Sequence, residues 1–241
     1  MKFTATALLA ACVPSLAFAL VGNDWKFDNA PADGLNDITF PFNMAKAPRK
    51  SGYYFAQQFN FHNVKDVGYT GLQPREDSGR NMIIHAAFSS FQAGTTTTHK
   101  NCHYGADGGP GVSCAVDIIG NYLDKYSVSV QNVGGTTWRG TLVNDRTRRA
   151  TVVGQWTLPA GAGKIVNGQV GFVEYYNWND GKPHACNTLP FTEATFYNPT
   201  SRTRGARGGK VTKVYEYGNC VGKVRYATKK LSQAYNIKVG F

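Results

Sequence analysis

The chain is a succession of short apolar runs separated by turn-forming residues, and this pattern constrains its fold more than any other feature. Runs such as 53–61, 82–91 and 171–178 are rich in β-branched and aromatic residues, and Gly, Asn, Asp or Pro separate them. Segment 126–130 alternates strictly between apolar and small polar residues. No long stretch repeats with the 3.6-residue period of an amphipathic helix. The pattern therefore predicts one antiparallel all-β domain over residues 20–241, a sandwich or a barrel.

Some segments are less distinct. Residues 20–50 are mostly polar, and we predict a single strand there, at 38–43. Segment 95–114 contains many Gly and Thr residues and is predicted to be a loop. Near the C-terminus, 221–228 is predicted as a strand and 229–235 as a turn of helix.

The N-terminus has the order of features of a secretory signal peptide. Lys2 precedes an apolar run at 3–12, and the small residues Ala17 and Ala19 form the pattern that a signal peptidase recognises. We therefore expect residues 1–19 to be removed and the mature protein to be extracellular. No other stretch approaches the roughly 20 apolar residues that cross a bilayer, so we expect no membrane anchor.

Four cysteines remain after the expected cleavage: Cys102, Cys114, Cys186 and Cys220. An even number in an exported chain indicates two disulfide bonds, and four cysteines allow three pairings. We favour Cys102–Cys114, which closes a short loop, and Cys186–Cys220, which fixes the C-terminal region. A metal site is the weaker alternative because no Cys-x-x-Cys spacing occurs.

The net charge of +11 is concentrated in the second half of the chain. The last 42 residues contain ten Lys or Arg residues and one acidic residue, Glu216. Such a surface attracts polyanions such as nucleic acid or acidic polysaccharide, and it also simply favours solubility. If a polyanion binds, we expect it at a short basic stretch: Arg202, Arg204, Arg207, Lys210 and Lys213.

The expected loop between the first two cysteines is a candidate ligand-binding rim. A disulfide bond would make it rigid, and His103, Tyr104 and Asp107 would offer polar contacts. Asp107 with loop carbonyls is also a weak candidate for Ca²⁺, but too few carboxylates cluster there. We therefore expect no metal and no other cofactor.

Two glutamates lie among aromatic residues in predicted strands. Glu174, Tyr176 and Phe172 alternate along one strand and share a face, and Trp178 follows. Segment 173–176 resembles the strand that carries the nucleophile in family 11 xylanases. Glu216 lies between Tyr215 and Tyr217. Together the two carboxyls could cleave a glycoside, but the basic surroundings of Glu216 would lower a carboxyl pKa and impair a general acid. We therefore expect Glu174 to be structural or ligand-binding.

The order of these features resembles a family of exported proteins, the domain of unknown function 3472. The resemblance covers roughly residues 50–180. The segments that carry it are 53–61, 68–75 with its Gly-Tyr-Thr-Gly-Leu-Gln, 88–91, 102–114 with the Gly-Ala-Asp-Gly-Gly of 105–109, 138–140 and 171–175. It implies a jelly-roll β-sandwich like those of concanavalin A and laminin G domains. It implies no reaction and no catalytic residues, and it leaves residues 181–241 outside.

These observations together favour a secreted, non-catalytic carbohydrate-binding protein. Its expected partner is a glycan of a cell wall or host surface, contacted by His103, Tyr104, Asp107, Glu174 and by Tyr176 and Trp178. Two alternatives stay open: a glycoside hydrolase using Glu174 and Glu216, and a basic effector or toxin that binds polyanions or a protein. The sequence does not determine the sugar or the oligomeric state.

Overall fold

A computed structural model describes residues 19–180 and 182–241. Residues 1–18 of the expected signal peptide lie outside the described residues, so the structure does not test it. Among the described residues, no helix has the length and apolar character that crossing a bilayer requires.

Fifteen strands account for the regular structure of the described residues, together with two 3₁₀ turns at Tyr176–Trp178 and Cys186–Thr188. The strands are β1 (Ala19–Lys26), β2 (Asp37–Asn43), β3 (Tyr53–Phe59), β4 (Gly68–Pro74), β5 (Ile83–Ser90), β6 (Cys102–Ala106), β7 (Gly109–Ile119), β8 (Tyr126–Gly134), β9 (Thr137–Asn144), β10 (Ala150–Thr157), β11 (Gly168–Tyr175), β12 (Thr192–Tyr197), β13 (Lys210–Glu216), β14 (Tyr226–Leu231) and β15 (Ala234–Val239).

The strands form two antiparallel sheets. One has eight strands in the order β13-β1-β11-β3-β4-β5-β7-β6, and the other has seven in the order β10-β9-β8-β2-β12-β15-β14. The sheets pack face to face, which confirms the predicted β-sandwich.

Aromatic side chains from both sheets fill the space between them. Phe88 of β5 stacks on Trp156 of β10 with ring centroids 4.6 Å apart, and Trp25 of β1 meets Phe40 of β2 edge-on at 5.2 Å. All four are buried. Since side chains alternate along a strand, the other face of the eight-stranded sheet points away from this core. We call it the outer face.

Both expected disulfide bonds are present. Cys102 and Cys114 are directly opposed on β6 and β7, and Cys186 is joined to Cys220 across 34 residues of sequence. Disulfide bonds fit an extracellular protein.

Three local expectations were wrong. The expected loop around 102–114 is largely the hairpin of β6 and β7. The predicted helical turn at 229–235 is a second hairpin, β14 to β15, joined by two residues. The predicted strand at 221–228 begins only at Tyr226, because the chain turns through 219–224 after Cys220.

Candidate functional site

Strand register assembles a row of polar side chains across the outer face. Glu174 of β11 is opposite Tyr54 of β3. The β3–β4 pairing puts Phe55 opposite Leu72, so one step further Tyr54 faces Gln73. Gln73 is opposite His85, which is opposite Asp117 and bonds to it at 2.7 Å. Five neighbouring strands thus bring together residues that are far apart in sequence.

Glu174 is a buried carboxyl within this row. It is 8% exposed, and its Oε1 accepts a hydrogen bond of 2.7 Å from the side-chain amide of Asn179. Burial raises the pKa of Glu174 and the negative charge of Asp107 raises it further, while the bond from Asn179 opposes them. A buried carboxyl that holds its proton more tightly than usual is suited to exchange protons with a substrate.

Tyr54 presents a second unusual group. Its side chain is 3% exposed, and among the described residues its hydroxyl has no hydrogen-bond partner. Its ring packs edge-on against Tyr69 and Phe172, at 5.3 and 5.7 Å. Burial holds the pKa of Tyr54 well above its ordinary value, so the hydroxyl stays protonated and can donate.

Arg75 fixes the orientation of Gln73. One guanidinium nitrogen of Arg75 donates to Gln73 Oε1 at 2.7 Å, and the other donates to the hydroxyl of Tyr176 at 3.1 Å. Because the amide oxygen of Gln73 is held, its amide nitrogen is turned away from Arg75. That nitrogen is in no hydrogen bond among the described residues, so it can donate to a ligand.

The disulfide-linked hairpin of β6 and β7 forms one wall of the site. Its tip is at Asp107, which has a positive φ of 48° and is flanked by Gly108 with a φ of 77°. The hydroxyl of Tyr69 donates to Asp107 Oδ2 at 2.7 Å and holds the tip against the outer face. A second carboxylate is thereby fixed near Glu174.

These groups enclose a cavity of about 260 Å³. Its lining is Tyr54, Tyr69, Gln73, Arg75, Asp107, Glu174, Tyr176 and Asn179. Larger depressions exist, including one of about 640 Å³ beside Lys26 and Lys210. The smaller cavity is the candidate site because a carboxyl of raised pKa, a hydroxyl without a partner and an amide held by Arg75 meet there.

The structure brings only some of the expected ligand-binding residues into this cavity. Asp107, Glu174 and Tyr176 line it. His103 and Tyr104 are exposed on β6 outside the lining, and Tyr104 is 66% exposed. Trp178 is buried and stacks on the ring of His184 at 5.3 Å.

Glu216 lies on the opposite face of the sheet from Glu174. It is opposite Val21 of β1, and Val21 is opposite Val173 of β11. Both valines are fully buried in the core between the sheets, whereas Glu174 is one residue further along and faces outward. Because neighbouring residues of a strand alternate in direction, the two carboxyls do not meet across a cleft.

The expected polyanion-binding residues are partly occupied by intramolecular contacts. Arg202 pairs with the buried Asp37 at 3.7 Å, and Lys210 pairs with Asp28. Lys213 lies 4.8 Å above the ring of Tyr215. Arg204 and Arg207 are exposed. Polyanion binding by this stretch stays a prediction.

No group of three or more His, Cys, Asp or Glu side chains suited to a metal ion occurs in the described part of the chain. Asp107, the weak Ca²⁺ candidate, is instead bonded to Tyr69.

Five residues that line the cavity were not among the expected site residues: Tyr54, Tyr69, Gln73, Arg75 and Asn179. Tyr54 was counted among the aromatic residues of a strand, and Gln73 was named only within a family motif. One sequence feature could have indicated Gln73: it is a polar residue that follows the apolar Leu72 in a predicted strand, so the two side chains point to opposite faces. Such a signal does not show which strand lies alongside.

No family model matches this chain, and no curated protein matches it significantly. The resemblance to the domain of unknown function 3472 therefore stays untested. Solved structures do match. Scytalido-glutamic peptidase with a peptide-based transition-state analogue has 13% identity and a TM-score of 0.49, covering 93% of this chain and 99% of that one. SCP-B, described as a member of the eqolisin family of peptidases in complex with the tripeptide Ala-Ile-His, has 11% identity and a TM-score of 0.44 over the same shares.

The expectation of a non-catalytic carbohydrate-binding protein was wrong, since the structures matched over 93% of this chain are peptidases. The glycoside hydrolase alternative was wrong as well, because Glu174 and Glu216 point to opposite faces of their sheet. At these identities and TM-scores the likeness concerns the fold and assigns no activity.

The raised pKa of Glu174 has a measurable effect on stability. The folded protein binds the proton of Glu174 more tightly than the unfolded chain does. This group therefore lowers the stability of the folded state as the pH rises above 4.5, the ordinary pKa of a Glu carboxyl. Gln does not titrate. We therefore measure the melting temperature of Glu174→Gln minus that of the parent protein. We expect this difference to be more positive at pH 7 than at pH 3.5.

Glu193→Gln is the matched control for that measurement. Burial raises the pKa of Glu193, but bonds from Lys46 and Asn236 outweigh it, and the net shift is downward. Its ionised form therefore stabilises the fold above pH 4.5, and Glu193→Gln should lose stability relative to the parent as pH rises. The same sign for both variants would contradict the assignment for Glu174.

Proposed function

We propose that this chain is a secreted peptidase in which Glu174 exchanges protons and Gln73 stabilises the developing oxyanion. The observation that carries the proposal is the buried carboxyl of Glu174, with its raised pKa, in one cavity with the held amide of Gln73. Secretion is supported by the disulfide bonds and by the signal-like N-terminus.

The two groups suffice for hydrolysis of an amide bond. The ionised carboxylate of Glu174 accepts a proton from a water molecule while the water oxygen attacks the carbonyl carbon of the peptide. The amide nitrogen of Gln73 donates to the oxygen that becomes negative. The protonated Glu174 then gives its proton to the leaving nitrogen as the C–N bond breaks. One water is consumed, an acid and an amine are released, and Glu174 returns to its ionised form.

The row next to the polar row on the outer face is covered by aromatic rings. It consists of small residues on successive strands: Ala56, Gly71, Ala87 and Ala115. Ala56 and Ala87 are buried in a cluster with Tyr54 and Phe172. A peptide would therefore reach Glu174 at the cavity and not along this row.

Incubation of the purified protein with a reduced, unfolded protein between pH 3 and pH 7 tests the proposal, with the products identified by mass spectrometry. We expect peptide products, and we expect kcat/KM to rise with pH along an acid limb whose apparent pKa lies above 4.5, because Glu174 must be ionised.

The variant Asp107→Asn tests whether the acid limb of the pH profile reports the ionisation of Glu174. The negative charge of Asp107 raises the pKa of Glu174, so its removal should shift the limb to lower pH. The Asn side chain can still accept the bond from Tyr69, which preserves the hairpin position. Absence of any peptide product, or an acid limb that Asp107→Asn leaves in place, would contradict the proposal.

A further inference from the structure

The position of Tyr54 in the polar row has a chemical consequence. Glu174 and Gln73 lie on strands two places apart, separated by about 10 Å at a strand spacing of about 4.8 Å. Their side chains therefore act on one bond only if the substrate lies over the residue that separates them. Tyr54 is the residue directly between the two, opposite Glu174 on one side and Gln73 on the other.

The hydroxyl of Tyr54 lies among charged and polar groups of the same cavity. It interacts electrostatically with Tyr69, Asp107 and Glu174, and all three line the cavity with it. The hydroxyl of Tyr69 donates its hydrogen bond to Asp107, and Glu174 Oε1 accepts a hydrogen bond from Asn179. The Tyr54 hydroxyl is bonded to none of the described residues.

A buried hydroxyl without a partner costs about 1–3 kcal/mol relative to one that is bonded. Seven buried side-chain atoms of the described residues have neither a hydrogen bond nor an ion pair, and they belong to Asn23, Tyr54, Gln57, Trp138, Trp156, Thr192 and Tyr226. Of these residues, Tyr54 alone lines the Glu174 cavity. Tyr54 is therefore the one of these residues whose hydroxyl lies next to a place where a substrate could supply the partner.

We propose that Tyr54 is a third catalytic residue, whose hydroxyl donates a hydrogen bond to the carbonyl oxygen of the bond being cleaved. The inference rests on the proposed peptidase function. As water attacks, that oxygen becomes negative, and the bonds from Tyr54 and Gln73 both strengthen. A donor aimed at charge that develops in the transition state lowers the barrier without tightening substrate binding equally.

Tyr54→Phe tests the role cleanly because the hydroxyl makes no bond within the described fold. Loss of one oxyanion donor costs about 10²-fold to 10³-fold in kcat. We expect kcat to fall by about 10²-fold with KM within about threefold of the parent value. The melting temperature should be unchanged or higher, since an unsatisfied buried hydroxyl is removed.

Tyr226→Phe is the matched control. It also removes a buried hydroxyl that lacks a partner, but Tyr226 lies on β14 of the other sheet. We expect its melting temperature to respond like that of Tyr54→Phe and its kcat to stay at the parent value. If both variants lost kcat equally, the effect of Tyr54 would be structural and the proposal would fail.

A second measurement separates this inference from the proposed function. A peptide with a phosphinate in place of the cleaved amide resembles the tetrahedral intermediate, and Tyr54→Phe should weaken its binding by about the same factor as kcat. Unchanged kcat and phosphinate binding in a folded Tyr54→Phe protein, with Glu174→Gln inactive, would overturn the role of Tyr54 alone. Full activity of Glu174→Gln would overturn the proposed function and this inference together.

Discussion

Replacement of Glu174 by Gln is expected to reduce kcat/KM for peptide cleavage by about 10³-fold, within the range of about 10²-fold to 10⁴-fold that general acid–base catalysis contributes. The amide of Gln matches the carboxyl in shape but neither accepts the proton of water nor delivers one to the leaving nitrogen. The measurement is the initial rate with a peptide from the product map, at the pH of highest parent activity. Near-ultraviolet circular dichroism of the same samples reports whether the aromatic core is intact.

Glu216→Gln is the control for this experiment. It makes the same chemical change in the same sheet, but Glu216 occupies a position of the opposite face, in register with the buried Val21. We expect at least half of the parent activity in this variant. More than one tenth of the parent activity in Glu174→Gln would show that Glu174 is not the proton-transfer group.

Replacement of Phe88 by Ala is expected to lower the free energy of unfolding by about 3–5 kcal/mol. Phe88 is fully buried and lies between Phe59 of its own sheet, at 6.3 Å, and Trp156 of the facing sheet, at 4.6 Å. The truncation leaves a cavity at the contact between the sheets, and the surrounding rings cannot collapse into it fully. Equilibrium unfolding in urea, followed by tryptophan fluorescence, measures the change.

Phe191→Ala is the comparison for the stability measurement. Its side chain is 37% exposed, so less apolar area is returned to water and no enclosed cavity forms. We expect a loss of about 1 kcal/mol or less. Equal losses in the two variants would contradict the position of Phe88 at the centre of the sandwich.

The expected and observed strands differ where tertiary pairing outweighs local preference. Strand β1 contains Gly22, Asn23 and Asp24, which disfavour strands, and the sequence predicted no strand there. In the fold β1 pairs with β11 on one side and β13 on the other, and Asn23 accepts a bond of 2.9 Å from Gln57. Two flanking strands satisfy its backbone, so intrinsic propensity has little influence.

The C-terminal hairpin shows the same effect at a sheet edge. Lys229, Lys230 and Leu231 favour a helix in isolation, and a helical turn was the expectation there. They instead form the second half of β14, the last strand of the seven-stranded sheet, because β14 pairs along its whole length with β15. Both lysines are exposed on this edge, and charged edge residues discourage pairing with other chains.

The sequence by itself determined the class of fold, the number of disulfide bonds and three residues of the site, Asp107, Glu174 and Tyr176. Short alternating runs have one face to bury, so two packed sheets followed from the pattern. The even cysteine count predicted two disulfide bonds, and of the three possible pairings the favoured one is observed. Glu174 was an expected site residue because it shares a strand face with Phe172 and Tyr176. The tertiary structure decided the rest. Pairing register placed Tyr54 and Gln73 beside Glu174 and turned Glu216 to the other face, because register depends on contacts between distant strands that no local pattern records.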